Sequence, residues 1–254
     1  MEAYTSFAQV YDMFMDDVPY DAWADYLCRY LQKNNIADGL VLDLGCGTGK
    51  MTRRMAGAGY DMIGVDNSME MLEIARQEDA EHILYLLQDM RSFELYGTVR
   101  AIYSSCDCMN YLLEEDDIRT VLQLANNYLD PGGLFLFDLN TPYKYRSLLA
   151  ENTFAENRED GSFIWENYYD EDTAVNEYDL TLFIREDNEE FFSRFQETHY
   201  QRCYEAAQIK KLIEEAGMEF VEVTDAYTGQ PLREDSEKML FVAREKRTPQ
   251  KKYV

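Results

Sequence analysis

Histidine and positive charge are scarce in this chain, and long apolar runs are missing from it. Its 254 residues include two histidines, and Cys106-Asp107-Cys108 has neither the spacing nor the ligand count of a zinc site, so no metal is expected. Against 49 acidic residues stand 24 basic ones, giving a net charge of −25 and a pI near 4.3. Nucleic-acid binding draws most of its non-specific affinity from Lys and Arg on phosphates, so nucleic acid is not an expected partner. The single basic cluster, REKRTPQKKYV, reads as a solvated, frayed tail. No stretch of about 18 apolar residues is present, which argues against a membrane-spanning helix. The opening MEAYTSFAQVYDMFMDD is acidic and aromatic and lacks the positive start and apolar core of a secretion signal. Five cysteines, at 28, 46, 106, 108 and 203, form an odd set without framework spacing. A reduced, cytoplasmic protein is the expectation.

What is present is a chain with 46% hydrophobic residues, enough for one globular domain spanning 1–254. From about residue 40 to 140 the pattern alternates strand and helix. LVLDL, YDMIGVD, HILYLL, VRAIYSS and LFLFDL read as strands, and helices fall at 48–57, at 69 to about 77, and over DDIRTVLQLANNYL. DPGG reads as the break after the last of these helices. Such alternation predicts an α/β fold, a parallel sheet with helices on both faces. After Pro142 comes a short helical stretch. Three aromatic strands, SFIWENYYD, TAVNEYDLTLFIRE and EFFSRFQETHYQRCY, then form an antiparallel meander. A helix at 205–216 ends at Gly217, and MEFVEVTDAY and KMLFVARE close the fold. The expected division is an N-terminal helical lid segment at 1–35, a core at 36–141 and 205–245, and a β insertion at 142–204.

The turn in VLDLGCGTGK carries the chemistry. A triphosphate loop would need glycine at Leu44 and Ser or Thr at Met51, so that reading fails twice. A dinucleotide fingerprint would need glycine at Lys50. Instead Gly45, Gly47 and Gly49 are spaced G-x-G-x-G behind Asp43, whose carboxylate suits an amine and repels a pyrophosphate. Asp66 ends the second strand, placed to accept hydrogen bonds from both ribose hydroxyls. Asp89 ends the third, placed to accept one from an exocyclic adenine amine. All three carboxylates stand at the carboxyl edge of the sheet, where open α/β sheets bind ligands. An adenosine carrying a charged amino acid fits them.

VLDLGCGTGK, IGVDNSMEML and LQDM together resemble the class I S-adenosylmethionine-dependent methyltransferases. The resemblance covers about residues 40 to 140 and the closing pair of strands. It implies a Rossmann-like seven-stranded sheet with helices on both faces and an inserted antiparallel β lid. It also implies S-adenosyl-L-methionine as cofactor and S-adenosyl-L-homocysteine as product. By the same resemblance Tyr11, Asp43, Gly45, Cys46, Gly47, Gly49, Asp66, Asn67, Met71, Asp89, Met90, Ser105 and Cys106 are cofactor-binding candidates, Met90 packing beside the adenine. The Asn/Asp-Pro-Pro-Tyr/Phe motif of base and glutamine methyltransferases is absent after strand four. The inserted strands resemble the lids of amino-sugar N-methyltransferases and glycine N-methyltransferase-like enzymes.

The expected reaction is methyl transfer to nitrogen or oxygen of a small molecule, by a monomer or homodimer. A protein acceptor, or a cofactor-binding sensor that transfers nothing, are the alternatives. Tyr4, Phe7 and Tyr11 share a helical face, and Tyr20 and Trp23 repeat the spacing, which makes either a core stripe or an aromatic lid favouring a sulfonium. Substrate-binding candidates are Tyr20, Trp23, Asp107, Asn110, Tyr111, His199 and Arg202. His199 and Tyr11 are the catalytic candidates, His199 because imidazole can accept the proton released on methylation. Arg202, read on the same strand face as His199, is a candidate anchor for an acidic group. His82 reads as surface.

Overall fold

A computed structural model describes residues 7–78, 83–186 and 191–247, so the expectations for Tyr4 and His82 lie outside the described residues. The β1 strand (Leu40–Leu44), β2 (Asp61–Asp66), β3 (Leu84–Leu87), β4 (Val99–Ser104) and β5 (Leu129–Asn140) run parallel. They are joined by α3 (Lys50–Gly57), α4 (Met69–Glu78) and α5 (Glu115–Tyr128). Beyond α6 (Ala206–Glu215), β10 (Glu219–Asp225), β11 (Gln230–Pro231) and β12 (Lys238–Arg244) add antiparallel strands. The strand order is β11-β10-β12-β5-β4-β1-β2-β3, the expected seven strands plus the two-residue edge strand β11.

The central strands are buried on both faces, which is why they read as near-continuous apolar runs. Side-chain alternation divides them. Leu42, Leu44, Ile102, Phe135 and Phe137 pack under α5 and α6. Val41, Ala101, Tyr103, Leu134 and Leu136 pack under α3 and α2 (Tyr20–Lys33). Ser68 begins α4 by accepting the Met71 amide at 3.2 Å.

Two expectations need correction. DPGG follows the end of α5 at Tyr128 as expected, but the fifth strand is longer than LFLFDL: it starts at Leu129 and runs through DPGG with a register shift opposite Val99 and Ala101. Gly132 has φ +83°, and a Cβ on Gly133 would stand 2.9 Å from the Arg100 carbonyl, so glycine is what lets the ladder continue there. The inserted sheet has four strands, not three, in the order β6-β7-β8-β9. These are β6 (Thr153–Asn157), β7 (Gly161–Asp170), β8 (Val175–Arg185) and β9 (Phe192–Arg202). Its inner face packs Leu180 and Leu182 on Val10 of α1 (Ala8–Phe14).

Candidate active site

The glycine turn follows β1 because the chain must reverse while its amides stay bonded to the neighbouring strand. Gly45 and Cys46 donate to the Val65 carbonyl at 2.8 and 3.0 Å. Gly45, Gly47 and Gly49 have φ of +84°, +52° and +76°, values that L side chains rarely adopt. A Cβ on Gly45 would stand 2.8 Å from Cys108 Sγ, whereas one on Gly47 would meet nothing within 4 Å. Gly47 therefore faces open space, a cavity of about 650 Å³ at the carboxyl ends of β1 to β4.

Four carboxylates line this cavity, Asp43, Asp66, Glu70 and Asp89, and three of them stand at strand ends. Asp43 Oδ2 accepts from Thr52 Oγ1 at 2.6 Å and Tyr103 OH at 2.9 Å, and burial pushes its carboxyl up to about 7. Asp66 accepts the Gly47 amide at 2.7 Å and the Ser68 amide at 2.9 Å, and burial raises it too. Asp89 is held low by Arg91, whose Nη2 stands 2.6 Å from Oδ2. Cys46, Asn67, Met71, Met90, Ser105 and Cys106 complete the wall, with Tyr11 and Tyr20 reaching in from the N-terminal helices. Gly49 lies off the wall, where it caps α3. The two lining cations are already matched, Arg91 by Asp89 and Asp117, Lys50 by Asp12. This donor set fits a hydroxylated nucleoside bearing an amine, and not a triphosphate.

A second cavity of about 310 Å³ adjoins the first and shares Tyr11, Cys106 and Tyr111 with it. Its walls are aromatic, from Phe7, Phe14, Trp23, Phe163, Trp165 and Tyr178. Its floor is polar, from Asp107, Asn140, Lys144, His199, Gln201 and Lys238. Cys106 and Asp107 both have left-handed φ, held by their amides donating to Asp138 at 3.0 and 2.6 Å. Burial acts to raise Asp107, but Lys238 and Lys144 outweigh it and hold the carboxyl low. Gln201 Nε2 donates to Asp107 at 2.7 Å, while its Oε1 accepts from Tyr145 at 2.8 Å and Tyr178 at 2.5 Å. His199 is buried between Tyr111 OH, 3.1 Å from Nδ1, and Glu197 Oε2, 3.2 Å from Nε2. Glu197 also accepts the Phe7 amide at 2.9 Å, tying the N-terminal segment to β9.

The structure separates the remaining candidates. Trp23 lines the second cavity and stacks on Tyr227 with ring centroids 4.5 Å apart, and Tyr20 lines the first. Asn110 is fully buried off both cavities, donating to the Arg202 carbonyl at 2.8 Å and accepting the Asn140 amide at 3.0 Å. Arg202 is corrected. It stands three residues from His199, so the pleat turns it to the other face, where it donates to the Leu113 carbonyl at 2.6 Å. Glu197 and Gln201 are the residues that share the His199 face, and alternation alone identifies them. Lys144 and Lys238 were missed, since no local pattern marks them.

Residues 41–133 match the family described as "Methyltransferase domain". The chain is 33% identical to YqeM of Bacillus subtilis (strain 168) over 248 residues, covering 96% of this chain and 98% of that one. It is 35% identical to GWCH70_2453 of Geobacillus sp. (strain WCH70), covering 95% and 99%. Among solved structures, an S-adenosylmethionine-dependent methyltransferase from Clostridium acetobutylicum ATCC 824 superposes with a TM-score of 0.85 at 27% identity, covering 96% and 99%. DesVI of Streptomyces venezuelae shares the fold, with a TM-score of 0.77 at 20% identity over 93% and 97%. Full-length relatives, a matching sheet with its inserted lid, and a carboxylate-ringed glycine turn agree. This chain belongs to the class I S-adenosylmethionine-dependent methyltransferases.

Proposed function

We propose that the enzyme methylates a nitrogen or oxygen of a small molecule seated in the second cavity. The observation that carries this reading is the shared wall: Tyr11, Cys106 and Tyr111 line both cavities, so a molecule in one meets a molecule in the other there. When bound, S-adenosylmethionine supplies a methyl group already activated on a sulfonium sulfur. Asp43 receives the cofactor's amine, Asp66 its ribose hydroxyls and Asp89 its adenine amine, with Met90 packing beside the ring. Gly45 and Gly47 leave room for the methionine part. What remains for the chain is to orient the acceptor and keep water out, and the aromatic walls do both.

The proton route runs through Tyr111. With Nε2–H donated to Glu197, His199 presents an unprotonated Nδ1 to the Tyr111 hydroxyl. A proton leaving the acceptor passes to Tyr111 Oη as the phenol gives its own to Nδ1, and the adjacent Glu197 carboxylate favours the resulting imidazolium. Tyr11 contributes a phenol at the junction of the cavities rather than a base, since burial raises it well above the usual phenol range.

Calorimetric titration with S-adenosylmethionine, NAD and ATP tests the cofactor half. Saturable binding of S-adenosylmethionine alone, lost in Asp66→Ala, is expected; absence of binding overturns the reading. Labelled-methyl transfer to a panel of small amines and hydroxyls tests the rest. The expected acceptor turns over about 10²–10⁴ times more slowly in His199→Gln, the ordinary worth of a positioned base.

A further inference from the structure

One ammonium in the second cavity is bonded directly to no carboxylate among the described residues, although carboxylates stand near it. Lys144 opens the helical turn at Lys144–Leu149, directly after β5, and lines the cavity floor. Its ammonium donates to a neutral acceptor, Asn140 Oδ1 at 3.2 Å, and among the described residues it forms no ion pair. Of the carboxylates near it, Asp107, Glu237 and Asp138, the first and last have other direct partners. Asp107 gives Oδ1 to Lys238 and Oδ2 to Gln201, while Asp138 accepts two backbone amides and the Tyr227 hydroxyl. Burial pushes Lys144 below the ordinary ammonium range and the neighbouring Lys238 adds to this, against the opposing pull of Asp107, Glu237 and Asp138. An ammonium half-buried beside aromatic rings, with no carboxylate bonded to it directly, is a ready partner for an anion.

Resting on the small-molecule reading above, we propose that the acceptor bears an anionic group, carboxylate or phosphate, on an apolar body, and that Lys144 receives that group. The anion replaces the water that a free ammonium would hold. The apolar body lies against Phe163, Trp165 and Tyr178, which places the methylated atom toward the wall shared with the cofactor. Arg202, the cation that strand order first suggested for this role, faces away and leaves it to Lys144.

The test uses the whole protein saturated with S-adenosylhomocysteine, titrated calorimetrically with benzoate, phenyl phosphate, benzamide and benzylamine. One anionic probe is expected to bind at least about tenfold tighter than the neutral and cationic ones, about 1.4 kcal/mol. Benzoate against phenyl phosphate then tells which anion the site prefers. In Lys144→Met that preference is expected to collapse to the benzamide level, and in Lys144→Arg to persist. In both variants S-adenosylhomocysteine should bind within about twofold of the parent, which separates a local effect from misfolding. Tighter binding of benzylamine, an anion preference unchanged in Lys144→Met, or no probe binding to the cofactor-loaded protein overturns the proposal. Failure of S-adenosylhomocysteine itself to bind sinks the cofactor reading instead, so the two failures are distinct.

Discussion

Asp43 has its carboxyl buried beside the glycine turn, and its protonation follows from that position. Below the ordinary carboxyl range it is protonated in folded and unfolded chains alike. As pH rises, the unfolded chain ionises first, so the stability this group contributes is lost between about pH 4 and about 7. A thermal-melt series should show Asp43→Asn flattening that part of the pH profile, since Asn can still accept from Thr52 and Tyr103. Cofactor affinity should move the other way in the parent, strengthening from about pH 6 to about pH 8 as the carboxylate forms. A profile indifferent to Asp43→Asn would remove it from the site. The glycines give a second contrast. Gly45→Ala drives a methyl into Cys108 and should cost about 2–3 kcal/mol by chemical denaturation, against about 1–2 kcal/mol for Gly47→Ala, where only the left-handed backbone opposes the methyl. Both variants should bind cofactor more weakly. At this scale the cofactor cavity was legible because Asp43, Asp66 and Asp89 each sit at a strand end that sequence pattern locates. Lys144, Gln201 and Lys238 were not, because the helical turn after β5, β9 and β12 bring them together from distant segments.

Elements were legible where periodicity was strong and lost where glycine or exposure blurred it. The β6 strand is exposed along most of its length, so TFAEN shows no apolar alternation and is held by pairing with β7. DPGG follows the helix end that its residues suggest, yet it also lies inside β5, because its glycines permit a bulge between paired neighbours. The α1 helix was read as either core or lid, and its contacts make it a seat against the glycine turn. Asp12 accepts from Thr48 Oγ1 at 2.7 Å and pairs with Lys50 at 3.4 Å, while Arg158 of the insertion pairs with Asp16 at 2.6 Å. Asp12→Ala should weaken cofactor binding by about three- to tenfold, the worth of one charge-assisted hydrogen bond at a partly exposed site, with little change in melting temperature. Equal cofactor affinity in Asp12→Ala would show that α1 does not hold the turn.

Across the whole molecule the charge is lopsided, with 49 acidic residues against 24 basic ones. Many of the arginines are committed to local carboxylates, as in Arg54 with Asp21, Arg100 with Asp38 and Arg119 with Asp116, so the excess negative charge repels itself. Raising sodium chloride from about 20 to about 150 mM shortens the screening length and should lift the melting temperature by a few degrees. A fall on adding salt would mean that the ion pairs outweigh the repulsion. Among the described residues no helix is long and apolar enough to cross a membrane. The packing of α1 has one more consequence, and it is kinetic. Tyr11 and Asp12 lie side by side on that helix, one lining both chambers and the other fastened to the turn beneath the first. Were α1 to close over bound cofactor as a lid, the cofactor would enter before the helix settles and leave only after it lifts. Turnover should therefore be ordered, with the methyl donor first on and its demethylated remnant last off. That remnant should compete with the donor and not with the acceptor in steady-state inhibition.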